Sequence, residues 1–393
     1  MPTTVILGTA RTPVGKLGGG LSSLPATELG GIAIGAALER ADVAPEQVDH
    51  VVMGQVLQAG QGQIPSRQAQ LQAGIPKEVS SETVNKVCAS GLRAAVILDQ
   101  AIRGGDVEVG VGGGMESMSG APYLLPQARF GYRMGDAKML DAMVHDGLTN
   151  PFTDKQMFVE ATEWTATAEM TRADLDRWAL RSHERALAAI DDGTMSDEIV
   201  AVTVKRRKGD TVVEVDEGPR RGSSLESLAK LPGLHGKDGS HTAGNSPGVN
   251  DGAGALVLAS DAWAAANGKA VLAEIVAHAQ TAGDTSILQT TPALSAMKAL
   301  DRAGLQPSDI DLWEINEAFA SVTLQSLRML GIDEDRVNVN GGAVALGHPI
   351  GASGARILGA LVQQLRRRGG GYGVAAICSG GGQGDAVILK VHG

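Results

Sequence analysis

The chain has 393 residues, 43% hydrophobic but only 3% aromatic, so its core must be built from Ala, Val, Leu, Ile and Gly, with length enough for two or three packed domains. A formal charge of -10, from 44 acidic against 34 basic residues, speaks against a nucleic-acid surface, which relies on clustered Lys and Arg. No stretch approaches the roughly twenty consecutive apolar residues of a membrane-spanning helix, and Val5-Ile6-Leu7 is too short for a signal-peptide core, so a soluble, cytoplasmic protein is expected.

In chain order, Thr4 to Leu7 reads as a buried strand, and the apolar spacing of Leu29, Ile32, Ala33, Ala36 and Ala37 predicts a helix over 26–40. Val48 to Met53 reads as a strand and Gly91 to Arg103 as a helix. Val107 to Val111 reads as a strand running into Gly112-Gly113-Gly114, where bulky side chains would block a close backbone approach. This is an α/β pattern, and the C-terminal part repeats it. Glu39 to Pro45 is answered by Asp301 to Pro307 at an offset of about 262, and Cys88 to Arg93 by Gly351 to Arg356 at about 263. Gly112-Gly113-Gly114 is paired with Gly380-Gly381-Gly382 at about 268. Two copies of one unit are therefore expected.

Between the copies, roughly 120–250, lies a charge-rich segment that breaks the rhythm and is expected to cover the end of the sheets where open α/β folds bind ligands. Within it, Arg129 to Asp136 is either an oligomer contact or a loop. The basic run Arg366-Arg367-Arg368 reads as a solvated helix C-terminus.

The two cysteines, Cys88 and Cys378, allow at most one disulfide and draw attention to chemistry instead. Four stretches concentrate it. In Asn85 to Gly91 a strand is expected to end just before a helix, a setting in which helix amides lower a thiol's pKa and present Cys88 as a nucleophile; the alternative is a buried cysteine acting as a small hydrophobe. Gly347-His348-Pro349 sets an imidazole in a glycine-rich run, suited to activating a thiol or donating to an oxyanion, although a loop histidine is more often a surface residue. Cys378-Ser379-Gly380 follows the apolar strand Gly373 to Ile377, where free amides suit an oxyanion or a tight turn. In Asn316-Glu317-Ala318-Phe319, where the strand Leu312 to Ile315 gives way to a helix, Asn316 is either a cap or a polar group aimed into a site.

In this order and at these separations the four stretches resemble the signature segments of thiolases. Arg11 to Gly15 and Gly112 to Met118 are similar to thiolase sequence too, and the resemblance spans essentially the whole chain. It implies a five-layered αβαβα fold of two duplicated halves, with 1–119 as the N-terminal half (completed by about 250–270), 120–249 as an inserted loop domain for coenzyme A binding and oligomerisation, and 271–393 as the C-terminal half. By the same resemblance Cys88 takes the acyl group, His348 activates it and Cys378 shuttles a proton. Asn316 holds a catalytic water, which forms one oxyanion hole with His348, while the amides of Cys88 and Gly380 form the other.

Coenzyme A and acyl-CoA enter as substrates, with no tightly bound cofactor and no metal. Contacts to coenzyme A carry over to Leu148, Met157, Arg220, Ser227, Ala243, Ala318 and Phe319. Gln156, His235 and Pro247 depart from the family pattern, at positions where histidine, phenylalanine and serine are usual, as does Phe158 to Thr162. Met157 and the Gly135-Asp136 region resemble short-chain acetoacetyl-CoA thiolases, which implies an acetyl-CoA C-acetyltransferase over a degradative 3-ketoacyl-CoA thiolase of broader acyl range, and by the same resemblance the inserted loop implies a homotetramer over a dimer.

Three readings lie outside this family branch. A carrier-protein-dependent ketoacyl synthase would pair its cysteine with two histidines, whereas Asn316 and Cys378 stand here. A Rossmann oxidoreductase is disfavoured by Gly8 to Pro13, which lacks the dinucleotide fingerprint after the first strand. A non-catalytic acyl-CoA or lipid-binding protein would need no nucleophile.

Overall fold

The structure is a computed structural model that describes residues 2–393. The N-terminal half contributes β1 (Thr4–Arg11), α1 (Ala26–Ala41), β2 (His50–Gly54), β3 (Ser80–Val84), α2 (Ser90–Gly104) and β4 (Val109–Ser117). After a long excursion the backbone returns as β5 (Asn250–Ser260). The C-terminal half then supplies β6 (Ala273–Ala282), α3 (Thr291–Ala303), β7 (Leu312–Ile315), α4 (Ala320–Leu330), α5 (Ser353–Arg367), β8 (Gly371–Ser379) and β9 (Gln383–Val391). Local chemistry sets the helix ends. α3 opens with Pro292 in its first turn and stops at left-handed Gly304, and α2 stops at left-handed Gly105.

The strands run β7-β8-β9-β6-β1-β5-β4-β2-β3 in one mixed sheet. The duplication is visible in the pairing. β1-β5-β4 are antiparallel neighbours and β4-β2 a parallel pair, and β6-β9-β8 with β8-β7 repeat that arrangement. The halves meet along a short antiparallel seam, Val5 with Glu274 and Ile6 with Ala273. Helices α2 and α5 match at both ends with the offset of about 263 read from the sequence.

Alternation along each strand divides the core. Ile6, Val52, Leu256, Leu258, Ala375, Ile377 and Val387 turn inward onto α2 and α5, whereas Val5, Leu7, Val51, Met53, Val109 and Val111 turn outward onto α1. Val374, Ala376, Ala386 and Ile388 pack outward on the other side, with residues of α3. The layers are therefore helix, sheet, central helices, sheet, helix. The two central helices cross at their first turns, where a Cβ on Gly91 would sit 2.9 Å from the Gly351 carbonyl and the Ala355 nitrogen.

One sequence expectation fails here. Gly112-Gly113-Gly114 do not follow a strand: they lie inside β4, with Gly112 under Leu98 and Ala95 and Gly114 under the Gly351 carbonyl. Gly380-Gly381-Gly382 form the turn between β8 and β9, so the two triplets are not equivalent, and the positions matching Gly112 and Gly114 are Ala375 and Ile377. Glycine in β4 admits a backbone from the other half that the second copy has no need to admit. Helix α4 likewise begins at Ala320, after Phe319 as its N-cap, so Asn316 caps nothing.

The excursion between β4 and β5 carries helices over 157–167 and 172–191. The second is anchored beneath the Asn316 turn by Glu317, which accepts hydrogen bonds from Trp178 Nε1 (2.9 Å), Ser182 Oγ (2.8 Å), Asn338 Nδ2 (2.8 Å) and the Val344 amide (2.9 Å). Arg11, buried, ties β1 to the same excursion through Glu198 (2.9 Å) and Asp216 (2.7 Å). Among the described residues no helix is long and apolar enough to cross a membrane.

Candidate active site

Cys88 lies in the short turn between β3 and α2. Its predecessor Val87 has φ +45°, a left-handed conformation that costs a β-branched residue about 1–3 kcal/mol and persists only where its neighbours over-determine it. They do so here. Asn85 Oδ1 accepts from the Val87 amide at 3.0 Å, Ser90 Oγ donates to the Val87 carbonyl at 2.6 Å and accepts from the Lys86 amide at 2.8 Å, and Ser379 Oγ donates to the Lys86 carbonyl. The Cys88 backbone N–H and that of Gly380, from the turn between β8 and β9, are directed at the Cys88 sulfur.

Those donors favour a thiolate, but burial outweighs them and pushes the Cys88 thiol up to about 12, with the Glu116 carboxylate adding to the rise. The expectation of a lowered pKa is thus overturned: the thiol is 4% exposed, and the desolvation cost exceeds what two amides return. Cys88 needs a base at the moment of attack.

His348 has the character of that base. Its Nδ1 lies 2.6 Å from Ser353 Oγ, and that hydroxyl donates at 3.0 Å to the Pro349 carbonyl. With its one proton so engaged, Ser353 accepts from Nδ1–H, which leaves the Nε2 lone pair free. Nε2 is buried and has no partner among the described residues. Burial, and then the charge of Arg356, push the imidazole down to about 3, so it is neutral at physiological pH. The main chain is pinned as well, since the His348 amide donates to Asn250 Oδ1 at 2.9 Å while Asn250 Nδ2 donates to Gly15 O at 2.9 Å.

Asn316 is fully buried, and among the described residues neither its side-chain nitrogen nor its oxygen has a partner, which marks it as a polar group suited to a water or substrate rather than a structural cap. Cys378, at the end of β8, is fully buried among Leu288, Ala318 and Val322, and its thiol is raised by burial and then by Cys88. Gly380 lies where a Cβ would be 2.9 Å from Met157 Cε and 3.3 Å from Val87 Cγ1, so a side chain there would press on the residues beside Cys88.

A cavity of about 170 Å³ opens onto Cys88 and His348. Four of the seven expected coenzyme A contacts, Leu148, Met157, Ala318 and Phe319, line it, as do the departing residues Gln156 and Pro247. Arg220, Ser227 and Ala243 do not; they are exposed beyond it, with Arg220 Nη1 donating to the Ala243 carbonyl at 3.2 Å. His235 does not line it either, although its neighbour Leu234 does. The sequence reading missed Leu288, Ile350 and Gly147 in the wall. Ile350 could have been found from its place two residues after His348, whereas Leu288 sits in a loop with no local signal.

The cavity therefore joins a buried thiol, with two amides at its sulfur, to a neutral imidazole with a free Nε2, while Cys378 lies behind the lining residues Leu288 and Ala318 and Asn316 two residues before Ala318, a set suited to acyl transfer through a thioester. Comparison with known proteins agrees. The chain matches the thiolase N-terminal domain over residues 4–262 and the thiolase C-terminal domain over 269–391. An acetyl-CoA acetyltransferase of Pseudomonas aeruginosa is 48% identical over 390 residues, covering 99% of each protein. One of Cupriavidus necator is 46% identical over 391 residues, covering 99% of this chain and 100% of that one. The solved acetyl-CoA acetyltransferase of Syntrophomonas wolfei superposes with a TM-score of 0.97 at 40% identity, covering 100% of both proteins. On this fold, these matches and this site chemistry, the chain belongs to the thiolase family.

Proposed function

We propose that the protein is an acetyl-CoA C-acetyltransferase, which cleaves acetoacetyl-CoA with coenzyme A into two acetyl-CoA and runs the reverse Claisen condensation. The observation that carries this reading is the free His348 Nε2 and the two amides gathered at a buried Cys88 thiol. In cleavage, Cys88 gives its proton to His348 as the sulfur attacks the C3 carbonyl, whose oxyanion takes hydrogen bonds from the Cys88 and Gly380 amides. The C2–C3 bond then breaks. Its electron pair is stabilised as an enolate held by protonated His348 and a water on Asn316, and Cys378 delivers its proton to C2 to release the first acetyl-CoA. Coenzyme A returns a proton to Cys378 and attacks the acetyl thioester on Cys88. The second acetyl-CoA departs, and Cys88 is restored with the proton from His348. Ping-pong kinetics follow from the covalent intermediate.

The excursion 120–249 is proposed as the coenzyme A-binding loop domain between halves 1–119 and 271–393, with Leu148, Met157, Ala318 and Phe319 along the pantetheine and Arg220, Ser227 and Ala243 at the exposed nucleotide end. The small apolar cavity supports a short acyl group. Cleavage of 3-ketoacyl-CoA substrates of about four to ten carbons tests this. Activity confined to the shortest is the expected outcome, and rates that rise with length would instead indicate the degradative enzyme.

A cytoplasmic homotetramer with a role in fatty acid metabolism is proposed alongside. The tetramer is supported by the apolar side chains exposed on residues 123–139, among them Phe130 at 91% and Met134 at 97%. Light scattering is expected to give the mass of four subunits; a two-subunit mass would overturn the tetramer.

A further inference from the structure

The duplication places a counterpart beside each part of the site. Gly351 occupies in the second copy the position that Cys88 holds in the first, and Glu116 at the end of β4 corresponds to Ser379 at the end of β8, next to Gly380. In the first copy the amide of Cys88 and that of Gly380 converge on the nucleophile. In the second the nucleophile is a glycine, and the Gly351 amide donates instead to Glu116 Oε2 at 2.9 Å. The same carboxylate accepts from the Val56 amide at 3.1 Å and, through Oε1, from the Leu57 amide at 3.1 Å. Glu116 is fully buried in a strand otherwise made of small and apolar residues, and a Cβ on Gly351 would come within 2.7 Å of its Oε2. A carboxylate is a costly group to bury, and no cation pairs with it among the described residues; only backbone amides hold it.

We infer that Glu116 is a positioning residue for the thiolase reaction: it fills the counterpart of the active-site anion hole with a resident carboxylate and thereby tethers the Gly347–Gly351 loop, which carries His348 and Ile350, to the loop after β2. The tether sits three residues from His348, on the opposite side from the Asn250 bond to the His348 amide, so the two fix both ends of the segment that aims Nε2. The adjoining cavity wall depends on the same contacts. A Cβ on Gly147 would lie 3.1 Å from Ile350 Cδ1 and 3.3 Å from Leu57 Cδ2, and those two side chains belong to the two loops that Glu116 joins.

The inference rests on His348 acting as the base, and two readouts keep the questions apart. A glutamine at this position has one acceptor oxygen and a donor nitrogen, so it satisfies at most two of the three amides and turns an N–H against the third. In Glu116→Gln, hydrogen exchange of peptides covering 347–352 is expected to quicken by about tenfold or more, with peptides of β5 and β8 unchanged. The same variant should lose about tenfold or more in kcat for acetoacetyl-CoA thiolysis, with KM within about threefold of wild type, because misaligned groups cost the transition state more than the ground state. Glu116→Asp keeps the carboxyl group on a shorter arm and carries the same test if the glutamine variant does not fold. Exchange at 347–352 equal to wild type overturns the tether whether or not the enzyme is a thiolase. Faster exchange with unchanged kcat, or losses in kcat and KM together, overturns the positioning role. A wild type without thiolysis would instead sink the functional assignment, and exchange would still decide the tether.

Discussion

Replacing Cys88 by alanine is expected to lower thiolysis of acetoacetyl-CoA by about four orders of magnitude or more while leaving the fold in place. The two halves of that expectation come from different observations. Catalysis is lost because the path through an acetyl-enzyme needs the sulfur, and Cys378 does not replace it, since the Gly380 amide is directed at the Cys88 sulfur and not at that of Cys378. The fold survives because Cys88 makes its packing contacts as a small apolar group beside Ala89 and Leu92, and loss of one sulfur atom from such a site costs about 1 kcal/mol. The turn is held by Asn85, Ser90 and Ser379, not by the thiol. Turnover under saturating coenzyme A, mass spectrometry after incubation with acetyl-CoA, and circular dichroism make the comparison. A folded Cys88→Ala protein that keeps more than about a tenth of wild-type turnover removes Cys88 from the mechanism.

Much of this site was legible in the sequence because catalytic loops at strand ends need small residues, and small residues leave a readable mark. The glycines around His348 and after Cys378, and the helix over 26–40 that ends one residue later at Ala41, follow directly from periodicity and backbone freedom. What a glycine does not reveal is the identity of the group that approaches it. Gly114 announced a close contact, yet only the fold shows that the contact is the Gly351 carbonyl of the other half, and the triplets at 112–114 and 380–382 looked alike while performing different tasks. Val87 ran against its own preference: valine argues for an extended backbone, and the left-handed turn is imposed by hydrogen bonds from residues as distant in sequence as Ser379. Glu116 carried a signal that went unread, a lone carboxylate within an apolar, glycine-rich strand.

The Cys88 pKa failed for a related reason. Sequence proximity to a helix start says which amides are near, but the balance is decided by exclusion of water, which is a property of the assembled cavity.

The balance matters most at His348. Substitution His348→Asn is expected to slow acetylation of Cys88 by acetyl-CoA by about three orders of magnitude, since asparagine can keep a polar contact toward Ser353 but has nothing at the Nε2 position. The wild-type pH profile adds an independent check with a definite sign. An imidazole with its ordinary value of 6.5 would lose its base form as pH fell through that value; burial moves His348 to about 3, so the base form persists well below 6.5. Because Cys88 is raised to about 12, the thiol keeps its proton throughout, and the acetylation rate is expected to stay flat from pH 8 to about 5. Stability runs the other way. Between 6.5 and about 3 the unfolded state binds protons that buried His348 and His241 refuse, so the fold weakens as pH drops below 6.5, and rates must be read where circular dichroism reports native protein. A rate that halves near 6.5 in folded enzyme would mean that His348 titrates as it does in water, and that the buried neutral pair is not the state that reacts.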